Sequence, residues 1–180
     1  MLNLKILPLD CGDQSITYRI GEEVSRIFPN LSCGVEPESK DLLEGGFNLK
    51  RGQYNASVIV KKMSLQIESF SVDYLLGVTD VDLYVPDMNF VIGLTDICGR
   101  VGLISLNRLK TSVFDDAHGY SLYVDRAVKE AVHEIGHVFG IPHCRYPKCV
   151  MYSANHVYDT DRKRGEFCPS CKTYIDGALG

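Results

Sequence analysis

The chain has 180 residues, 45% hydrophobic and 23% charged, the mixture of one soluble globular domain, which excludes disorder and collagen-like structure. A net charge of −4 gives no general attraction to nucleic acid or anionic lipid, and no stretch approaches the roughly 20 consecutive apolar residues of a membrane span. The start, Met1 to Asp10, has neither a basic region nor a long apolar region, so the expectation is a cytoplasmic monomer whose seven cysteines are reduced.

In chain order, Leu2, Leu4 and Ile6 alternate and predict a strand over 2–9, ended by Pro8 and an Asp-Cys-Gly turn. Ile16, Ile20, Val24 and Ile27 recur at helical spacing before Pro29-Asn30 stops the helix. Residues 31–35 read as a short strand and 36–50 as a loop. Ala56, Ile59, Val60, Met63 and Ile67 predict a second helix from about 53 to 67. Apolar, β-branched runs at 71–78, 81–85, 89–94 and 101–106 then read as strands of one sheet. Asn55-Ala56-Ser57 matches the glycosylation tripeptide, but such triplets arise by chance and no export signal accompanies it. With no repeat or linker, the economical reading is one mixed α/β domain.

The strongest element runs from 121 to 139. Val124, Ala127, Val128, Ala131, Val132, Ile135, Val138 and Phe139 form one stripe, and His133 and His137 fall on the opposite side, facing away from the core. Being four apart, the two imidazoles stand about 6 Å from each other along the axis and can converge on one ion. Gly140 can take the left-handed conformation that closes a helix and Pro142 cannot extend it, so the chain turns and swings His143 back. Three neutral nitrogens with a fourth position free for water point to a catalytic zinc. Glu134, beside the first histidine, can take the proton of a zinc-bound water and deliver it to the leaving amine of a peptide.

The run His133-Glu134-Ile-Gly-His137-Val-Phe-Gly140-Ile-Pro-His143 resembles the metzincin zinc-peptidase signature HExxHxxGxxH. Adding His143-Cys144, Cys149-Val150-Met151 and Cys168-Pro-Ser-Cys171 makes the chain similar to the archaemetzincins, an intracellular branch of that clan. The segments 77–86, 89–93 and 105–109 look familial too, so the resemblance covers about 75–171 well and the first 70 residues only loosely. It implies that His133, His137 and His143 hold zinc, that Glu134 is general base and acid, and that Met151 is the Met-turn residue beneath the site. It also implies that an edge strand on the cleft's rim pairs with an extended peptide, for which Asn89, Phe90, Val91, Ile92, Gly93 and Leu94 are the candidate.

The knuckle Cys168-Pro-Ser-Cys171 and the pair Cys144 and Cys149 suit a second zinc. Four thiolates leave no position for water, so that ion is structural and staples a C-terminal segment with little core of its own. A redox-active CxxC and disulfides formed on purification are the competing readings. Cys11, Cys33 and Cys98 read as packed thiols, His118 and His156 as surface residues, and Arg162-Lys163-Arg164 as a solvated turn. Tyr146, Tyr152 and Tyr158 are candidates to stabilise an oxyanion, and Asp80, Asp82 and Asp87 to hold a substrate amine; spacing does not choose among them.

The expected fold is therefore a zincin-like twisted mixed sheet packed on helices: a subdomain 1–143 ending in the active-site helix, then a small zinc-bound subdomain 144–180. The expected function is peptide hydrolysis with two zinc ions per chain. The alternative is a non-hydrolytic, zinc-stabilised module that binds a peptide or protein.

Overall fold

The computed structural model describes residues 1–110, 117–154 and 156–179. Strand β1 (Leu2–Leu9) leads through helix α1 (Ser15–Ile27) to β2 (Leu31–Val35), which pairs parallel to β1 with Leu4 opposite Cys33. Two short strands, β3 (Phe47–Asn48) and β4 (Gln53–Asn55), precede helices α2 (Ala56–Ser64) and α3 (Ile67–Phe70). Then come β5 (Tyr74–Thr79), β6 (Leu83–Tyr84), β7 (Gly93–Asp96) and β8 (Val101–Ser105). The long helix α4 (Ala117–Val138) is followed by α5 (Val157–Arg162) and α6 (Pro169–Leu179).

The main sheet has the order β2-β1-β5-β8-β7, with four parallel strands and β7 antiparallel at one edge. Alternation along the strands feeds two cores. Leu4 and Ile6 of β1, Leu76 and Val78 of β5 and Ile104 of β8 face α1 and α4; Leu7, Leu9, Leu75, Val101 and Leu103 face α2. The sheet is thus sandwiched between helices, and a mixed α/β sheet packed on helices is the fold the sequence predicts.

Several boundaries differ from expectation. The helix expected over 53–67 is strand β4 followed by α2 and α3, because the Asn55 side chain accepts from Ser57 N–H (3.0 Å) and caps α2 at its start. The four apolar runs do not form one sheet: β6 pairs with β4 in a separate three-stranded sheet, β3-β4-β6. Of the run 89–94, only Gly93 and Leu94 belong to the edge strand; Val91 bridges Leu83 and turns the chain before β7 begins. In the C-terminal segment, for which the sequence predicts no secondary structure, α5 forms, and the Asp159 carboxylate accepts from His156 N–H (3.1 Å) at its start. Among the described residues, no helix is long and apolar enough to cross a membrane.

Candidate metal centre and active site

Helix α4 is buried on nearly all sides near its C-terminal end, because strand β8 covers one side and the chain that follows it folds back on another. His133 and Glu134 therefore do not look away from the core into solvent, as the helical wheel alone suggests; they are 5% and 6% exposed. The helix closes as its sequence predicts. Gly140 has φ +83°, its N–H donates to His137 O (2.8 Å), and Ile141 N–H donates to Gly136 O (3.0 Å), the paired bonds of a Schellman ending.

That ending orients two rings. His137 Nδ1 lies 2.7 Å from Ile141 O, and His133 Nδ1 lies 2.8 Å from Val150 O. A carbonyl only accepts, so both Nδ1 atoms carry protons and both Nε2 lone pairs are turned toward one point. The two Nε2 atoms are 3.1 Å apart, and the ring of His143 lies 4.7 Å and 5.3 Å by centroid from those of His137 and His133. One nitrogen of each histidine lies within 4.8 Å of the others. Tetrahedral zinc, with Zn–N bonds of about 2.0–2.1 Å, separates its nitrogens by about 3.4 Å. Two lone pairs facing each other at 3.1 Å repel unless a cation lies between them, so this donor set fits a metal ion. Burial, the Lys163 ammonium and the neighbouring rings all push the His133 imidazole toward its neutral, ligating form.

Glu134 stands beside the triad. Burial pushes its carboxyl up to about 8; a hydrogen bond from Thr95 Oγ1 to Oε2 (2.6 Å) pulls the other way, and Glu130 adds to the rise. Thr95 lies on edge strand β7, and so does Gly93, where any side chain would strike the Glu134 carboxylate. Gly136 is the counterpart below: a Cβ there would run into the Met151 sulfur. Met151 is fully buried, and its neighbour Val150 supplies the carbonyl that holds His133. Thr95 and Gly136 play no part in the sequence argument, and Gly93 enters it only as part of the candidate peptide-pairing strand. A glycine inside a strongly periodic helix costs about 1 kcal/mol relative to alanine, and that is the one local signal of the close approach.

Cys144, Cys149, Cys168 and Cys171 also converge, with their sulfurs within 4.8 Å of one another. Cys144 and Cys168 Sγ are 3.8 Å apart, too far for a disulfide of about 2.05 Å and matching the spacing of about 3.8 Å for two thiolates on tetrahedral zinc. Backbone N–H groups of Tyr146 and Cys168 donate to Cys144 Sγ (3.4 Å) and Cys149 Sγ (3.3 Å). At Cys149 burial raises the thiol, and the bond from Cys168 N–H works against that rise. Cys11 is buried and Cys33 half-buried, but Cys98 is exposed in the turn after β7 rather than packed.

A cavity of about 510 Å³ opens onto His133, Glu134 and His143, and residues 89–94 all line it. Asp87 lines it as well, whereas Asp80 pairs with Lys110 (2.8 Å) and Asp82 with Arg108 (2.7 Å). None of Tyr146, Tyr152 and Tyr158 lines the cavity, and His118 and His156 are exposed. The turn 162–164 is not uniformly solvated. Lys163 is fully buried against Glu130 (Nζ to Oε1 3.0 Å), and Arg126 holds Asp161 by two bonds of 2.6 Å, so α4 grips α5 through polar pairs. A run of charges in sequence carries no sign of that burial, because the partners lie 33 and 35 residues away.

Comparison with known proteins gives the same picture over a longer span than the motifs suggest. Residues 31–176 match the sequence profile of Peptidase family M54. The archaemetzincin of Pyrococcus furiosus is 38% identical over 97% of this chain and 93% of its own length. That of Methanocaldococcus jannaschii is 40% identical over 95% of this chain and 91% of its own. The crystal structure of archaemetzincin from Archaeoglobus fulgidus, complexed with malonate, superposes with a TM-score of 0.83 at 35% identity, covering 97% of this chain and all (100%) of that one. The archaemetzincin of Methanopyrus kandleri superposes with a TM-score of 0.81 at 30% identity, covering 99% and 95%. The N-terminal residues therefore belong to the resemblance too.

Proposed function

The chain belongs to Peptidase family M54, the archaemetzincins, and is a zinc metallopeptidase; we propose that His133, His137 and His143 hold its catalytic ion and that Glu134 moves the protons. The observation that carries this reading is the inward turn of the imidazoles, each of the first two fixed by a bond from Nδ1 to a backbone carbonyl. Zinc bound there supplies a Lewis acid that lowers the pKa of water and polarises a carbonyl.

The chain's own groups do the rest. Glu134, next to His133 in the chain and lining the same cavity, accepts the proton of the attacking water at a carboxylate oxygen and returns it to the leaving nitrogen. Thr95 holds Oε2, so the carboxylate keeps one orientation through both transfers. A peptide substrate lies along the cavity beside residues 89–94, and the unpaired side of β7 offers main-chain groups for an added strand. Gly93 keeps that strand close to Glu134 without collision.

The four cysteines hold a second, structural zinc in this reading. It fixes Cys144 beside His143 and Cys149 two residues before Met151, and so steadies the third ligand and the carbonyl of Val150 together. Residues 144–180 then act as a stapled subdomain on a catalytic part, 1–143, and the working unit is a monomer with two ions. Substituting Glu134→Ala tests the chemistry: both metals and the fold should remain while hydrolysis of a peptide library falls by orders of magnitude. Retained hydrolysis refutes the role of Glu134.

A further inference from the structure

Between β6 and β7 the chain forms a wall of the active-site cavity, which residues 87–92 all line. Backbone bonds tie it to β6: Met88 N–H donates to Val85 O (3.2 Å) and Val91 N–H to Leu83 O (2.9 Å). Its middle is held from behind by side chains of the small sheet. Arg51, in the turn before β4, donates through Nη2 to Met88 O (2.8 Å) and Asn89 O (2.9 Å). Gln53, buried on β4, donates through Nε2 to Asn89 O as well (3.0 Å). The Arg108 guanidinium lies 4.1 Å from the centre of the Phe90 ring.

These groups fix one another. Arg51 Nε donates to Gln53 Oε1 (2.9 Å), and Gln53 Nε2 also reaches Asp82 Oδ2 (2.9 Å), on which Arg108 Nη2 converges (2.7 Å). The Gln53 amide therefore has one orientation, because its reverse would set Oε1 against a carboxylate. Arg51 is seated in turn 4.2 Å over the Tyr84 ring of β6. Both lone pairs of Asn89 O are taken, so the wall does not pair with a peptide at that carbonyl. Farther along, Ser105 N–H donates to Ile92 O (2.7 Å), which makes these two a bonded pair of the antiparallel ladder. By alternation, Gly93 and Thr95 turn their main-chain groups away from β8. Wall and pairing strand are thus consecutive, the first anchored by side chains and the second open along one edge.

We propose that Arg51 and Gln53 are positioning residues of the peptide site: by holding the carbonyls of Met88 and Asn89 they set the distance between the wall and the three histidines. A peptide paired at Gly93 and Thr95 then runs on against a surface already in place, and its binding does not have to order that surface. The proposal rests on the peptidase reading for the ligand's class, but its test requires no turnover.

The probes are acetohydroxamate, which reaches the ion alone, and alanine-based peptidyl hydroxamates of increasing length, titrated into the zinc-loaded chain. In the unsubstituted chain, affinity should rise with length as the ligand comes to cover the wall. Arg51 is exposed, so Arg51→Met leaves the core intact. That variant should keep the zinc content and the acetohydroxamate affinity of the parent, yet bind the longer probes about tenfold more weakly, because the wall must then be ordered on binding. Gln53→Met should show the same split; where this buried substitution does not fold, Arg51→Met decides alone. Arg51→Lys, which keeps a donor for one carbonyl, should recover part of the loss.

Equal binding of the longer probes by the parent and Arg51→Met overturns the proposal. So does an equal loss for every probe, acetohydroxamate included, which is what a general weakening of the fold would give. An affinity that does not rise with length in the parent is a separate failure: it removes the peptide reading of the cavity, and the positioning role falls with it.

Discussion

Replacing Gly136 by alanine sets two effects of opposite sign against each other in the middle of α4. Alanine is favoured over glycine in a helix interior by about 1 kcal/mol. The added methyl, however, meets the Met151 sulfur head-on and comes within 3.3 Å of the Phe167 ring, and Met151 is fully buried with little room to retreat. Overpacking of this kind costs about 1–3 kcal/mol, so the net change is a destabilisation of about 0–2 kcal/mol. Displacing Met151 also moves Val150, whose carbonyl fixes the His133 ring, so zinc affinity should fall by about 10–100-fold, as for other supporting contacts of a metal ligand. The diagnostic assay is a double-mutant cycle in urea, with zinc held in excess. Met151→Ala alone should cost about 2–5 kcal/mol, but it empties the space that the new methyl needs. Gly136→Ala should then stabilise the Met151→Ala chain by about 1 kcal/mol, reversing its sign. If Gly136→Ala stabilises the otherwise unaltered chain by that amount, Met151 is not pressed against the helix and the account of the turn beneath the site is wrong.

Replacing Cys168 and Cys171 by serine should reduce the zinc content from two per chain to one and raise hydrogen exchange across α6; an unchanged metal content would remove the structural ion from the account. At Asp82, burial raises the carboxyl, but hydrogen bonds from Arg108 and Gln53 and the Arg108 charge outweigh it and hold the group below its ordinary range. A depressed carboxyl stabilises the fold above its unfolded value of about 3.9 and loses that contribution as pH falls through the folded one. Asp82→Asn should therefore be less stable than the parent at pH 7, with the gap closing in acid; a gap independent of pH would place the effect elsewhere.

What the sequence reveals follows from how local each cause is. The triad is readable because α4 carries an unbroken helical period and its closing glycine sits where the third histidine needs the chain to reverse. The cysteine cluster is readable because its members come in two close pairs. The edge strand is misread by up to four residues, since Phe90-Val91-Ile92 has strand composition while the backbone there is committed to a bridge with Leu83. Lys163 is misread altogether: nothing near it distinguishes a solvated turn from a buried partner of Glu130. Thr95, Gly93 and Gly136 act through contacts across the fold, which no local period encodes.

The central claim is that three imidazoles share one cation, and anomalous diffraction at the zinc edge tests it most directly on crystals of the zinc-loaded chain. The account predicts a peak about 2.0–2.1 Å from Nε2 of His133, His137 and His143, with one coordination position left to solvent and Glu134 beside it. A peak confined to the four cysteines, with the three rings turned apart, would contradict it.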